Sequence, residues 1–250
     1  MNCLIGYSGF VGSNLMQRNY SKVFNSKNIH QIEGMKFDEI TCAGVYAEKW
    51  KANLDEQKDW KQISELAKIL KNVKAKKFTL ISTVDVYNEK SCVDEDSKIY
   101  PNLSDPYGRN RYKFENLIND LFSDTTIVRL PGLFGPGLKK NIIFDMANKR
   151  LLDQIQQESI FQWYDITRLP TDIDTIHRNN IRLINLVTEP IKTKELIKNC
   201  FSEIKLLPGN KQTVSYDIRT KYASIFNSDK NYIESSSTVF QKISKWKREL

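Results

Sequence analysis

The feature that most limits how this chain can fold is a glycine triplet, Gly6, Gly9 and Gly12, set directly behind a short apolar run from Asn2 to Ile5. A helical stretch through Leu15 and Met16 follows it. A strand feeding a G-x-x-G-x-x-G turn that opens a helix can seat a pyrophosphate. The first glycine permits the tight turn, the second lets backbone approach the anion, and the third lets helix and strand close on each other. Free N–H groups and the positive end of the helix dipole then face the phosphates. A glycine-rich turn that holds no ligand is the other reading of the same residues.

The first half of the chain continues in the same alternating style. Short strands are predicted at Lys22 to Asn25 and at Glu39 to Cys42. Residues 57–73 predict an amphipathic helix with Trp60, Ile63, Leu66, Ala67 and Leu70 on one face. Phe78 to Ser82 reads as a buried strand. Pro106 opens a helix whose apolar face carries Phe114, Leu117, Ile118 and Leu121, and Thr126 to Leu130 is again a strand. Strands alternating with helices imply a parallel sheet covered on both faces. The interval between the strands at 22–25 and 39–42 is too short for the usual helix, strand and helix, so one helix and one strand of a standard sheet are expected to be missing. Beyond residue 131 the pattern loosens, with helices predicted at 141–149, 171–179, 192–200 and from Val239, and strands at 159–164 and 182–187. Residues 1–137 are expected to form the core domain and 138–250 a lobe capping it.

Composition removes several function classes. The net charge is +8, yet the lysines are spread along the whole chain without a block of like charge. A solvated basic surface, able to attract a small anionic substrate, fits that spread better than a nucleic-acid interface. The four cysteines (Cys3, Cys42, Cys92 and Cys200) form no C-x-x-C pair, and the only histidines are His30 and His177. No metal site and no Ser-His-Asp machinery is expected from so few ligands. No apolar run reaches the ~20 residues needed to span a bilayer. The N-terminus lacks the pattern of a signal peptide. A cytoplasmic enzyme, without a membrane or nucleic-acid partner, is the expectation.

Four further segments carry a resemblance. They are Thr41-Cys42-Ala43-Gly44, Ser82-Thr83-Val84-Asp85-Val86-Tyr87, Pro106-Tyr107-Gly108-Arg109-Asn110-Arg111 with Glu115, and Arg129 to Gly137. With the glycine turn, in this order, they resemble the extended short-chain dehydrogenase/reductase family, which includes sugar-nucleotide epimerases, dehydratases and ketoreductases. The resemblance covers residues 1–137 and is faint beyond. It implies an α/β fold, a Rossmann-like doubly wound parallel sheet with a small C-terminal substrate-binding lobe, and a nicotinamide dinucleotide cofactor. The implied cofactor residues are Gly6, Ser8, Gly9, Phe10, Val11 and Gly12 at the phosphates, Asn25, Ser26 and Lys27 at the adenosine, and Cys42, Ala43 and Gly44 beside adenine and ribose. Ser82, Tyr107, Arg111 and Pro131 complete that set. Substrate contacts are implied for Thr83, Asp85, Gly132, Leu133, Asn141 and Gln162. The family often pairs into homodimers through helices equivalent to 57–73 and 106–122.

By the same resemblance Tyr107 moves the proton and Thr83 holds the substrate oxygen. Tyrosine has an ordinary pKa of ~10, so a cation beside it is needed to bring the phenolate toward neutral pH. The family's lysine, four residues after the tyrosine, is Arg111 here. Arginine supplies charge and a donor fork for ribose hydroxyls but stays ionised and cannot shuttle protons. Packing of Tyr107 at the helix start, with Arg111 meeting a carboxylate, is the alternative. No acid stands at Asn25-Ser26-Lys27-Asn28, which leans the cofactor to NADP over NAD. The family's substrate-side Asn and Tyr are Gly132 and Phe134, and Phe161 to Asp165 stands where a diphosphate-binding arginine is usual. The expected function is an NAD(P)-dependent oxidoreductase or epimerase acting on a nucleotide-sugar carbonyl or secondary alcohol, a ketoreductase before a dehydratase. A catalytically silent dinucleotide-binding sensor or scaffold is the alternative.

Overall fold

A computed structural model describes residues 1–205 and 212–250. These divide into two compact units that are not consecutive in the chain. The first comprises Met1–Asn88, Ser97–Leu130 and Leu169–Ile184, and the second Glu89–Asp96, Pro131–Arg168 and Asn185–Leu250.

Among the described residues, six strands form the sheet of the first unit, in the order Leu183–Asn185, Thr125–Leu130, Lys74–Thr83, Lys36–Cys42, Asn2–Ile5 and Lys22–Phe24. The sheet is parallel, with Ile5 level with Phe24 on one side and Cys42 on the other. From the opening strand the chain steps out to Lys22–Phe24, then crosses back to Lys36–Cys42 on the other side. The carboxyl end of Asn2–Ile5 is therefore the point where strand order reverses, the place where open α/β sheets bind ligands. The only regular structure on that return crossing is a 3-10 turn at Ile29–Ile32, so the shortened connection seen in the sequence is real.

Apolar periodicity and capping explain the helices. Asp55 accepts the Lys58 N–H ahead of the Glu56–Leu70 helix, and Asp105 accepts the Gly108 N–H ahead of Pro106–Leu121. Ile63, Ala67 and Leu70 from the first, with Phe114 and Ile118 from the second, bury against Ile40, Phe78 and Ile127 of the sheet. Phe78 and Phe122 stack with ring centroids 4.4 Å apart. Two strands begin earlier than their apolar runs predict, at Lys36 and Lys74, because the two pair with each other and extend the ladder through exposed lysines.

The second unit has its own core of Phe134, Ile143, Met146, Trp163, Leu196, Phe201, Val239, Ile243 and Trp246. The strand predicted over 159–164 is two short strands. Ile160–Phe161 pairs antiparallel with Ile191–Lys192, and Trp163–Asp165 pairs parallel with Gly132–Phe134. Between them stands Gln162, whose buried amide bridges two other segments instead of continuing a ladder. No described helix is long and apolar enough to cross a membrane.

Candidate active site

The glycine turn lies at the strand-order reversal. Gly6 has φ +89°, and a Cβ there would stand 2.3 Å from the Ala43 carbonyl oxygen, so only glycine fits. A Cβ on Gly12 would stand 1.9 Å from the Gly6 carbonyl oxygen, which is the close helix–strand packing expected of the third glycine. Gly9 differs. It caps the Phe10–Leu15 helix without a side-chain bond, and a Cβ there would meet nothing closer than the Gly6 oxygen at 3.4 Å. The Gly9 N–H is taken up by Gly6 O at 3.0 Å, and Ser13 N–H by Gly9 O at 2.8 Å. The N–H groups of Phe10, Val11 and Gly12 precede any helical acceptor. Ser8 and Gly9 are exposed above them. A glycine whose Cβ would enter open space, beside uncapped amides, fits a pyrophosphate.

At the neighbouring strand end, Asn25 accepts the Lys27 N–H at 2.9 Å, leaving Ser26 and Lys27 exposed. Asn25 Nδ2 also lies 3.4 Å from Ser8 Oγ. On the other side, Ala43 donates to Ile5 O at 2.8 Å and brings the 43–44 backbone against Gly6. Cys42 is fully buried, and burial pushes its thiol up to about 11, so that residue borders the site by its main chain alone.

The tyrosine stands on the same carboxyl edge. Thr83 ends the Lys74–Thr83 strand, and its Oγ1 accepts the Asp85 N–H at 3.1 Å, which leaves the hydroxyl proton to donate. The Pro106–Leu121 helix begins against this turn, since a Cβ on Gly108 would stand 2.0 Å from the Asp85 carbonyl oxygen. That contact explains the glycine after Tyr107. Tyr107 is buried, its N–H donates to Asn53 Oδ1 at 2.9 Å, and its hydroxyl has no hydrogen-bond partner among the described residues. Burial raises its pKa; Arg111 and Lys49 pull it down, and Asp85 and Asp59 push it up.

Arg111 takes the alternative course weighed from the sequence: it meets a carboxylate. Nη1 and Nη2 grip Asp59 at 2.5 and 2.9 Å, and Nη2 also donates to Tyr46 O at 2.5 Å. Asn110 supplies a further donor to Asp59 at 2.8 Å. The guanidinium lies 3.8 Å over the Tyr107 ring rather than at its hydroxyl, and only Nε is left without a partner. The fork expected to reach ribose is thus engaged within the protein. Through Tyr46 this cluster also ties the 43–46 segment, which borders Gly6, to the tyrosine helix.

Ser82, expected at the cofactor, donates instead to Glu115 Oε1 at 2.5 Å. Glu115 also pairs with Arg129 at 2.6 Å, and Arg129 Nη1 donates to Tyr87 at 2.8 Å. Four residues that carried the resemblance in three separate segments are thus one buried network. Nothing in the sequence pattern joined them. Glu115 holds the Arg129 guanidinium well above its ordinary range although burial opposes it.

No protein-family model matches the sequence, and no curated protein matches it. Solved structures do match in fold. MoeE5 in complex with UDP-glucose and NAD is 12% identical, with TM-score 0.76 over 99% of this chain and 98% of that one. A dTDP-4-dehydrorhamnose reductase ortholog from Clostridium acetobutylicum is 14% identical, with TM-score 0.71 over 98% of each chain. RMD from Pseudomonas aeruginosa complexed with NADPH is 15% identical, with TM-score 0.71 over 100% of this chain and 99% of that one. This chain has their fold. It is the α/β, Rossmann-like parallel sheet read from the glycine turn and the alternating strands, as in the epimerase, dehydratase and reductase structures.

Of the residues expected at the substrate, Thr83 and Asp85 belong to the first unit, and Gly132, Leu133, Asn141 and Gln162 to the second. A Cβ on Gly132 would stand 2.7 Å from the Trp163 ring, so glycine is required there by packing. Gln162 is 2% exposed. It donates to Thr188 O and Ile218 O at 2.7 Å each and accepts the Ile218 N–H at 2.9 Å. Both Nε2 hydrogens are thus committed within the protein. Asn141 caps the Ile142–Ala147 helix and donates to Leu133 O at 2.8 Å. Pro131, expected at the cofactor, opens the Pro131–Arg168 segment of this unit. The same four-residue spacing of tyrosine and arginine recurs at Tyr164 and Arg168, where Tyr164 is fully buried and Arg168 pairs with Glu234 at 2.5 Å.

Proposed function

We propose that this chain is an NAD(P)-dependent oxidoreductase or epimerase acting on a carbonyl or secondary alcohol of a nucleotide-linked sugar. The observation that carries the reading is one sheet edge that joins an uncapped glycine turn to a buried tyrosine whose hydroxyl is uncommitted. The ligands named for MoeE5 and RMD, proteins of this fold, support it. The N–H groups of the first helical turn would hold the pyrophosphate, with Ser26 and Lys27 at the adenosine. Their lack of an acid and the charge of Lys27 support NADP over NAD. The bound nicotinamide supplies or accepts the hydride. Tyr107 gives its phenolic proton to the substrate oxygen in reduction and takes it back in oxidation, and Thr83 donates a hydrogen bond to that oxygen. Asp85, two residues on from Thr83, faces the same edge.

The commitment of Arg111 to Asp59 favours a second reading, a catalytically silent dinucleotide-binding sensor or scaffold. Two measurements separate them. Titration with NADPH and NADH, followed by tryptophan fluorescence, tests binding. Hydride transfer with a panel of keto-sugar nucleotides, wild type beside Tyr107→Phe, tests catalysis. We expect binding by both proteins and turnover by the wild type alone. Equal turnover after Tyr107→Phe removes the assigned mechanism, and binding without turnover selects the sensor.

A further inference from the structure

We propose that Lys49 is the proton-exchanging cation that serves Tyr107, a task closed to Arg111. The proposal rests on the acid/base role given to Tyr107. A phenol that has protonated its substrate is left as phenolate and must recover a proton before the next turnover. An arginine stays ionised and cannot provide it. Arg111 is moreover held by Asp59 with its charge over the ring face. Lysine, unlike arginine, can release and regain a proton.

Three ties place Lys49 beside the turn and the helix start that carry Tyr107. Its Nζ lies 2.8 Å from Asp85 Oδ1 and 3.2 Å from Asp105 Oδ2. Asp85 belongs to the turn against which Gly108 presses, and Asp105 caps the helix that carries Tyr107. Asn53, on the Lys49–Leu54 helix itself, accepts the Tyr107 N–H. The charged groups acting on the phenol are thus Arg111 from its own helix, Asp85 from the strand-end turn, Lys49 from the Lys49–Leu54 helix and Asp59 from the Glu56–Leu70 helix. Both ion-pair partners of Lys49 are carboxylates. Its side chain is 38% exposed, which gives it access to solvent for reloading.

The exchange involves protons only. The phenol O–H breaks as the substrate oxygen gains the proton. One ammonium N–H then breaks as the phenolate regains its own through intervening water. The neutral amine takes a proton from solvent. Oxidation of the substrate runs the same steps backwards, and Lys49 releases the proton to solvent.

The test uses the full chain as wild type, Lys49→Ala and Lys49→Arg, each with and without Tyr107→Phe. Ultraviolet difference absorbance isolates the titration of Tyr107, as the curve of each protein minus that of its Tyr107→Phe partner. Lys49→Ala should move that titration upward, because a positive charge beside the phenolate has gone. An unmoved titration overturns the proposal without recourse to any substrate. In turnover with NADPH and a keto-sugar nucleotide such as dTDP-4-dehydrorhamnose, Lys49→Ala should lose roughly 10²-fold, the usual scale of proton-transfer catalysis. Ethylamine in the buffer should restore much of it and guanidine should not. Lys49→Arg, charged but unable to exchange protons, should stay slow. A Lys49→Arg variant at wild-type speed, or an Ala variant indifferent to ethylamine, overturns the proton-exchange role. Failure of the wild type to bind either dinucleotide would instead defeat the oxidoreductase reading, while the tyrosine titration still decides the coupling to Lys49.

Discussion

Alanine at Gly9 separates folding from ligand binding at the glycine turn. Gly9 has φ −81° and ψ 169°, a conformation that alanine adopts without strain. The new methyl group would meet only the Gly6 oxygen at 3.4 Å, an ordinary contact. Alanine caps a helix less well than glycine, yet it also lowers the entropy of the unfolded chain by about 0.4–1 kcal/mol, and the two effects oppose each other. Gly9→Ala should therefore leave the melting midpoint within about 2–4 °C of wild type. At Gly12 the same methyl would stand 1.9 Å from backbone, and overpacking of that kind costs about 1–3 kcal/mol. Binding should rank them differently. A methyl group over the turn holds a pyrophosphate away from its amides, and each hydrogen bond to a charged group contributes about 1.5–3 kcal/mol. Loss of one or two such bonds weakens binding by roughly 10–10⁴-fold. Differential scanning fluorimetry gives the midpoints, and NADPH titration of tryptophan fluorescence gives the affinities. A Gly9→Ala protein that binds NADPH as tightly as wild type would refute a pyrophosphate seated at this turn.

Two further outcomes follow from buried groups. Arg129→Met leaves Glu115 buried without its charge partner, which should cost about 3–5 kcal/mol in chemical denaturation, and an unchanged stability would show the network to be incidental. Burial pushes the Cys3 thiol up to about 12 and the Cys42 thiol up to about 11. An unfolded thiol ionises from about pH 8.5, so above that pH the unfolded state binds fewer protons and stability falls until the pH passes the folded values. Urea unfolding between pH 7 and 10 should show that decline, and Cys3→Ala should flatten it; an equal slope in the variant argues against this cause.

The first half of the fold was legible because its signals are local. The 2–5 strand, helices over 57–73 and from Pro106, and the missing helix and strand after Phe24 could all be read from spacing and from the proline. Strand ends were less legible. Lys36 and Lys74 look like surface residues alone and become strand only by pairing with each other. Among site residues, Gly6 follows the Asn2–Ile5 strand, Thr83 ends the Lys74–Thr83 strand and Tyr107 stands in the first turn of the adjoining helix. Lys49 carried no pattern of its own, and Gln162 looked polar enough for a ligand until its three internal hydrogen bonds were seen.

From the sequence alone come a glycine turn behind the first strand and a tyrosine beside the proline that opens a helix. Dihedral freedom, capping and periodicity act over a few residues and leave their mark in the order of letters. Only the tertiary structure decided which carboxylate holds Arg111, which lysine pairs with Asp85 and Asp105 and why Ser82, Tyr87, Glu115 and Arg129 occur together. Asp59 and Arg111 are 52 residues apart, and Gln162 and Ile218 are 56. Such pairings are selected when the sheet closes and burial makes an unpaired charge or amide costly, a condition that no short stretch of chain encodes.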